Sequence, residues 1–292
     1  MKLDVQFDQV SVKYGDIEAV RNVSFKLDGG KIYGLLGRNG AGKTSLLSVL
    51  ASFREPSSGT VKVGGEQPFE NAKVMREVSF VYDVDHKDES DTLRSGIESI
   101  ARYRPHFDTE YAIQLARKFN LPQDKPINSL SKGMQSAYNV VIGLASRSPV
   151  TILDEVYLGM DAPTRDIFYR ELLEDQARHP RTFILSTHLV SEMDYLFDEV
   201  VILHQGRFVL RDDYESLTSR GISVTGPASK VDECVQGMKV LSTQRLGSTK
   251  SVMIYGEIGE QFKREAHRAG LELGALSLQD LFIHLTGEAY TE

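Results

Sequence analysis

The 292-residue chain has one cysteine, Cys234. No disulfide can form within it, and a zinc site built from several cysteines is excluded. Its seven histidines are scattered, with no H-x-x-x-H pair of the kind a helical zinc site needs. No apolar run approaches the ~20 residues that span a bilayer. Positive charge is also short: 34 Lys and Arg stand against 41 Asp and Glu, for a formal net charge of -7. Surfaces that hold polyanions are basic, so no nucleic acid is expected as a partner. Met1 opens a charged, alternating segment unlike a secretory signal, and the expected compartment is the cytoplasm. What remains is 41% hydrophobic and 26% charged, the composition of an ordinary globular protein. The length allows one large domain, or a large one with a small one.

The most informative stretch is Gly37-Arg38-Asn39-Gly40-Ala41-Gly42-Lys43-Thr44, which fits G-x-x-x-x-G-K-[ST]. The short apolar run 32–36 before it reads as a buried strand, and residues 44–51 after it carry Leu46, Leu47 and Leu50 at helical spacing. A glycine-rich loop between strand and helix turns backbone N–H groups around an anion. The helix N-terminus adds about half a positive charge. In this setting Lys43 would reach the β- and γ-phosphates of a nucleotide, and Thr44 would ligate Mg²⁺. The plainer reading is a glycine-rich turn with a surface lysine.

Strands are expected at 3–12, 23–27, 59–63, 78–82, 150–153 and 182–185, with a closing hairpin of 199–203 and 207–210. The first two form a small antiparallel sheet. Tyr14 beside them is a candidate for stacking on adenine, or a turn-edge tyrosine packed on the sheet. A helical region starts near Ile97, runs to Phe119 and is ended by Pro122 and Pro126. Before it, Asp83, Asp85, Asp88, Glu89 and Asp91 crowd a polar stretch that is either a metal site or a solvated linker. Ser131 precedes a helix expected at 137–147; it is an ordinary N-cap and also an anion site. The strand 150–153 ends in Asp154-Glu155. Ions at the end of a buried parallel strand are costly unless used. Asp154 suits a Mg²⁺ shell, and Glu155 would polarise a water for attack on the γ-phosphate. The alternative is a strand running out into acidic surface. His188, at the end of the next strand, is a candidate γ-phosphate contact.

In this order the pieces resemble the ATP-binding subunit of an ABC transporter over residues 3–215. The phosphate loop and the Asp-Glu strand are shared by many NTPases. Leu130-Ser131-x-Gly133 between them, with His188 downstream, makes the resemblance specific. It implies an α/β fold: a P-loop NTPase core with a flanking antiparallel β-subdomain and an α-helical subdomain. The helical part would occupy about 84–148, and 216–292 would be a small α+β C-terminal extension. The implied nucleotide contacts are Tyr14, Gly37, Arg38, Asn39, Gly40, Ala41, Gly42, Lys43, Thr44, Ser45, Ser131, Gly133 and Asp161. Glu155 and His188 would be catalytic, and Thr44, Asp83 and Asp154 would hold Mg²⁺. Ser131 and Gly133 match the signature loop, which binds the γ-phosphate held by the opposite subunit. The resemblance therefore implies a head-to-tail dimer, homo- or heterodimeric, with two ATP molecules at its interface. It also implies an integral-membrane permease as partner, and a peripheral position on the inner face of the membrane.

Three positions depart from the family pattern. Asp83 stands where the Q-loop has glutamine. Lys132 separates Ser131 from Gly133. Val156-Tyr157 follows Glu155 in place of Pro-Thr. Such variants resemble subunits of bacterial drug and antimicrobial-peptide exporters, and export of a drug, peptide or lipid-like compound is expected on that basis. Two other classes stay open. A soluble ABC-type ATPase acting on ribosomes or DNA has against it the single phosphate loop and the lack of a basic tract. A non-catalytic nucleotide sensor has against it the complete set Lys43, Asp154, Glu155 and His188. In the extension, Ser277-Leu278-Gln279-Asp280 starts a capped helix with an apolar stripe of Leu278, Leu281, Phe282 and Leu285.

Overall fold

The computed structural model describes residues 2–256 and 258–287; Met1 and 288–292, the outer limits of the two expected domains, lie outside the described residues. The chain divides into two compact units, one of residues up to His188 with Tyr195–Arg211, the other of Leu189–Asp194 with the chain from Asp212 on.

The first unit opens with β1 (Val5–Tyr14), β2 (Ile17–Leu27), β3 (Ile32–Leu36), α1 (Lys43–Leu50) and β4 (Ser58–Val63). It continues through α2 (Ala72–Met75), β5 (Val78–Tyr82), α3 (Leu93–Tyr103), α4 (Thr109–Lys118) and α5 (Lys132–Ala145). Next come β6 (Val150–Asp154), α6 (Ala162–Arg178) and β7 (Thr182–Thr187). α7 (Val190–Met193) belongs to the second unit, and β8 (Glu199–His204) and β9 (Arg207–Asp213) return to the first sheet.

Six strands form the main sheet in the order β5-β6-β7-β3-β8-β9. β3, β6 and β7 are buried at every residue, which is why they read as unbroken apolar runs and not as alternating ones. β5, β6, β7, β3 and β8 run parallel, so their C-terminal ends share one edge. A ligand site is expected at that edge of an open α/β sheet. β2-β1-β4 make a separate antiparallel sheet, and its Val5, Phe7 and Val61 share a core with Leu46, Leu47 and Leu50 of α1.

The structure moves three of the expected boundaries. β2 begins at Ile17, directly after the Gly15-Asp16 turn, because Tyr14 already pairs with Ile17. The single helical region is two helices: Arg104, which precedes Pro105, is extended (φ -108, ψ 110) as residues before proline prefer. α5 starts five residues before the expected 137, because the Ser131 side chain accepts from the Met134 N–H and caps it there.

The second unit adds α8 (Tyr214–Ser219), β10 (Gly221–Pro227), α9 (Ala228–Cys234), β11 (Val240–Leu246), β12 (Thr249–Tyr255), α10 (Glu260–Arg268), β13 (Glu272–Ala275) and α11 (Leu278–Leu285). From β10 to β13 this is a βαββαβ run whose sheet order is β11-β12-β10-β13 with antiparallel pairing, the ferredoxin-like topology. Val224, Val252 and Ile254 of the sheet pack with Val231 of α9 and Ala266 of α10. α11 begins with a full capping box of Ser277 and Asp280, and its stripe of Leu278, Leu281, Phe282 and Leu285 is buried.

Candidate functional site

β3 delivers the chain to the loop at the C-terminal edge of the sheet, and α1 leaves from it. Gly42, the N-cap of α1, has φ 97, and a Cβ there would sit 2.4 Å from the Ala19 carbonyl oxygen. Both facts require glycine. Residues 39–45 of the loop and α1, Ala19 and Arg21 of β2, and Glu155 line a cavity of about 690 Å³, and Gly37 and Arg38 are not part of that lining. That is within the range of small-ligand sites. Lys43 is 5% exposed and donates from Nζ to the Gly37 carbonyl at 2.7 Å, across the loop.

Two carboxylates of different setting meet this loop. Asp154, the last residue of β6, is buried; its Oδ2 accepts from Thr44 Oγ1 at 2.7 Å, while its buried Oδ1 has no hydrogen-bond partner. Glu155 steps off the strand with φ 51. A left-handed non-glycine residue costs of order 1 kcal/mol or more, and such strain collects at functional sites. The turn aims Glu155 sideways: Oε1 lies 3.4 Å from Lys43 Nζ and 3.1 Å from His188 Nδ1. The parallel register explains the meeting. Asp154 pairs with Ser186, and the Glu155 N–H donates to the Ser186 carbonyl, so the ends of β6 and β7 stand side by side. Lys43, Thr44, Asp154, Glu155 and His188 are thus one connected cluster.

Comparison with known proteins agrees with this geometry. The family profile described as ABC transporter matches residues 20–157. A Nod factor export ATP-binding protein I of Burkholderia orbicola is 30% identical over 214 residues, 70% of this chain and 68% of that protein. The chain belongs to the ABC transporter family. The protein of the same description in Burkholderia lata is 28% identical over 97% of each chain. A solved ATP-binding subunit of an ABC transporter shares the fold with a TM-score of 0.66, at 24% identity, over 73% of this chain and 91% of that one. As an ATP-binding subunit of this family, the chain binds and hydrolyses ATP.

The remaining expected residues of this ABC subunit lie in other settings. Tyr14 is 48% exposed and does not line the cavity; the Arg54 guanidinium covers one face of its ring at 3.9 Å from the centroid. Asp161 is the N-cap of α6, and hydrogen bonds from Thr164 hold its carboxyl below the usual carboxylate range. Ser131 and Lys132 are exposed at the start of α5. Gly133 has no room for a side chain, since a Cβ would lie 2.6 Å from the Gly159 carbonyl oxygen. Asp83 is ion-paired with Lys132, so two departures from the family pattern face each other. Its acidic neighbours form no cluster of three or more metal-ligating side chains among the described residues.

Sequence reasoning missed Ala19 and Arg21, which line the cavity from the start of β2. It named Tyr157 only as a departure. The phenol is buried against His188, and its position depends on the β6–β7 register, which no local pattern reveals.

Proposed function

We propose that this chain is the motor subunit of an exporter, driving a separate integral-membrane permease that carries a drug, peptide or lipid-like compound. One observation carries the catalytic part: the Thr44–Asp154 bond, with a free buried carboxylate oxygen, adjoins the Lys43–Glu155–His188 cluster. Hydroxyl and carboxylate oxygens are the donors Mg²⁺ takes, with water and phosphate completing its shell. Thr44 and Asp154 fit that ion and would hold it. When bound, it would neutralise charge on the β- and γ-phosphates. The loop from Gly37 to Ser45 would cradle the phosphates, Lys43 would bind the β- and γ-oxygens, and Tyr14 would stack on adenine. Glu155 would take the proton of the attacking water while His188 bonds the γ-phosphate. Ser131, Gly133 and Asp161 would complete the site of a second ATP-binding subunit. Asp83, paired to Lys132 here, would approach Mg²⁺ only after leaving that partner.

The export direction is supported by the names of the Burkholderia relatives. No helix among the described residues is long and apolar enough to cross a membrane, and the cargo path would lie in the permease. The permease would dock near the cavity of about 310 Å³ between β5 and the helical elements, where Tyr82, His86, Ile100 and Tyr138 are found. That docking would hold the chain on the inner face of the membrane. The test is co-purification from gently solubilised membranes of the native host. A stoichiometric multi-span protein is the expected companion. Ribosomes, nucleic acid or no companion would end the transporter reading while leaving the ATPase standing.

A further inference from the structure

Tyr157 adjoins the catalytic cluster and has no role in the scheme above. It is 1% exposed, and its phenol oxygen lies within reach of Thr187 and His188 at the end of β7. Thr187 Oγ1 donates to it at 2.9 Å and the His188 backbone N–H at 3.4 Å, while His188 Nδ1 lies 3.3 Å away. With these two donations to the phenol oxygen, its own O–H is the group that can bond a bare Nδ1. The same Nδ1 is 3.1 Å from Oε1 of Glu155. A neutral imidazole allows that nitrogen one role at a time. Carrying the proton, it donates to Glu155; without it, it accepts from Tyr157. The choice decides the far nitrogen, because the hydrogen bond at one ring nitrogen sets the tautomer. In the first arrangement Nε2 is a bare acceptor and repels a phosphate oxygen. In the second it is an N–H donor that binds one.

We propose that Tyr157 is a positioning residue that holds His188 in its Nε2–H tautomer once Glu155 turns away to the attacking water. The inference rests on the roles proposed for Glu155 and His188. A Glu155 that moves to the water gives up Nδ1, and the Tyr157 hydroxyl, 3.3 Å from that nitrogen, is the donor placed to take it over. Tyr157 is built for it: the ring is locked in the core and the hydroxyl is fixed by Thr187, itself fully buried. The threonine of the family pattern is too short to span the distance that the phenol ring covers. This chain has therefore placed a donor of its own beside His188.

The test reads the tautomer directly, by long-range proton–nitrogen spectra of the full chain labelled at histidine, with Mg-ATP bound. In Glu155→Gln, where ATP persists, His188 is expected as Nε2–H; an Nδ1–H imidazole there overturns the proposal without any change at Tyr157. Adding Tyr157→Phe should move the population toward Nδ1–H. In the otherwise native protein, Tyr157→Phe should lower kcat about tenfold with KM for ATP within about threefold, a split that general loss of structure would not give. A kcat within twofold of native, beside a His188→Ala variant that is inactive, would overturn the role of Tyr157 alone. Full activity in His188→Ala would remove the reading of the site, and this inference with it.

Discussion

Glu155 is held with a left-handed backbone between Lys43 and His188, an arrangement that costs conformational energy. A side chain positioned this way is tested by replacing its charge and keeping its shape. Glu155→Gln should bind ATP and release phosphate at least ~100-fold more slowly, the scale of a lost general base. Turnover at the native rate would exclude that role. Lys43→Ala acts at a different step. Its buried ammonium would give charge-assisted bonds to phosphate, each worth about 1.5–3 kcal/mol. ATP affinity should fall by about 10- to 100-fold in a fluorescent-nucleotide titration, and undiminished affinity would contradict the assignment. Lys43, Thr44 and Asp154 were legible in the sequence because a local pattern carries each: a loop motif, or a charge ending an apolar strand. Tyr157 was not, because its place beside His188 depends on which strand lies beside β6.

The elements show the same division between local and distant causes. β3, β6 and β7 announce themselves as short apolar runs because both faces of the sheet are covered. The start of β2 was missed because Ile17, Glu18 and Ala19 show no alternation of burial; their pairing with β1 is what makes them a strand. One cluster ties β3, β8 and β9 together. Glu199, 7% exposed, accepts from Lys31 Nζ at 2.5 Å and from Arg211 Nε at 2.5 Å. Burial alone would raise the Glu199 pKa, but the bonds from Arg211 and Lys31 outweigh it and hold the carboxyl below its usual range. A depressed carboxyl stabilises the fold above its unfolded pKa, and that contribution disappears as pH falls through the lower folded value. Glu199→Gln should therefore be less stable than the native protein by about 1–3 kcal/mol at pH 7, since Lys31 loses its carboxylate and Arg211 keeps only Asp28. The difference should persist down to about pH 4.3 and vanish only below it. Denaturant midpoints measured from pH 7 to pH 3 would show this; a difference that grows on acidification would reverse the sign and refute the account.

At the scale of the whole molecule, two sets of expected nucleotide contacts stand apart within one chain. Residues 39–45 of the loop and α1, with Glu155, line the cavity at the sheet edge, and Asp154 and His188 join them through Thr44 and Glu155. Ser131, the exposed N-cap of α5, and Gly133 in its first turn are absent from the lining of that cavity. The second unit was legible only in part, because β11, β13, α9 and α10 are short elements whose pairing is set by topology and not by period. The split of the contacts leads to a prediction about assembly. If the exposed loop closes over a nucleotide held by another subunit, ATP itself is part of the interface, and the dimer should last only while ATP does. Glu155→Gln with Mg-ATP should then sediment as a dimer, and the same protein with ADP as a monomer. Ser131→Arg, added to Glu155→Gln, should abolish the dimer while leaving a single chain's ATP affinity within about threefold, because Ser131 does not line the chain's own cavity. Equal loss of affinity and dimer would place Ser131 in the chain's own site. A dimer that persists in ADP, or that tolerates the arginine, would mean that the interface lies elsewhere on the molecule.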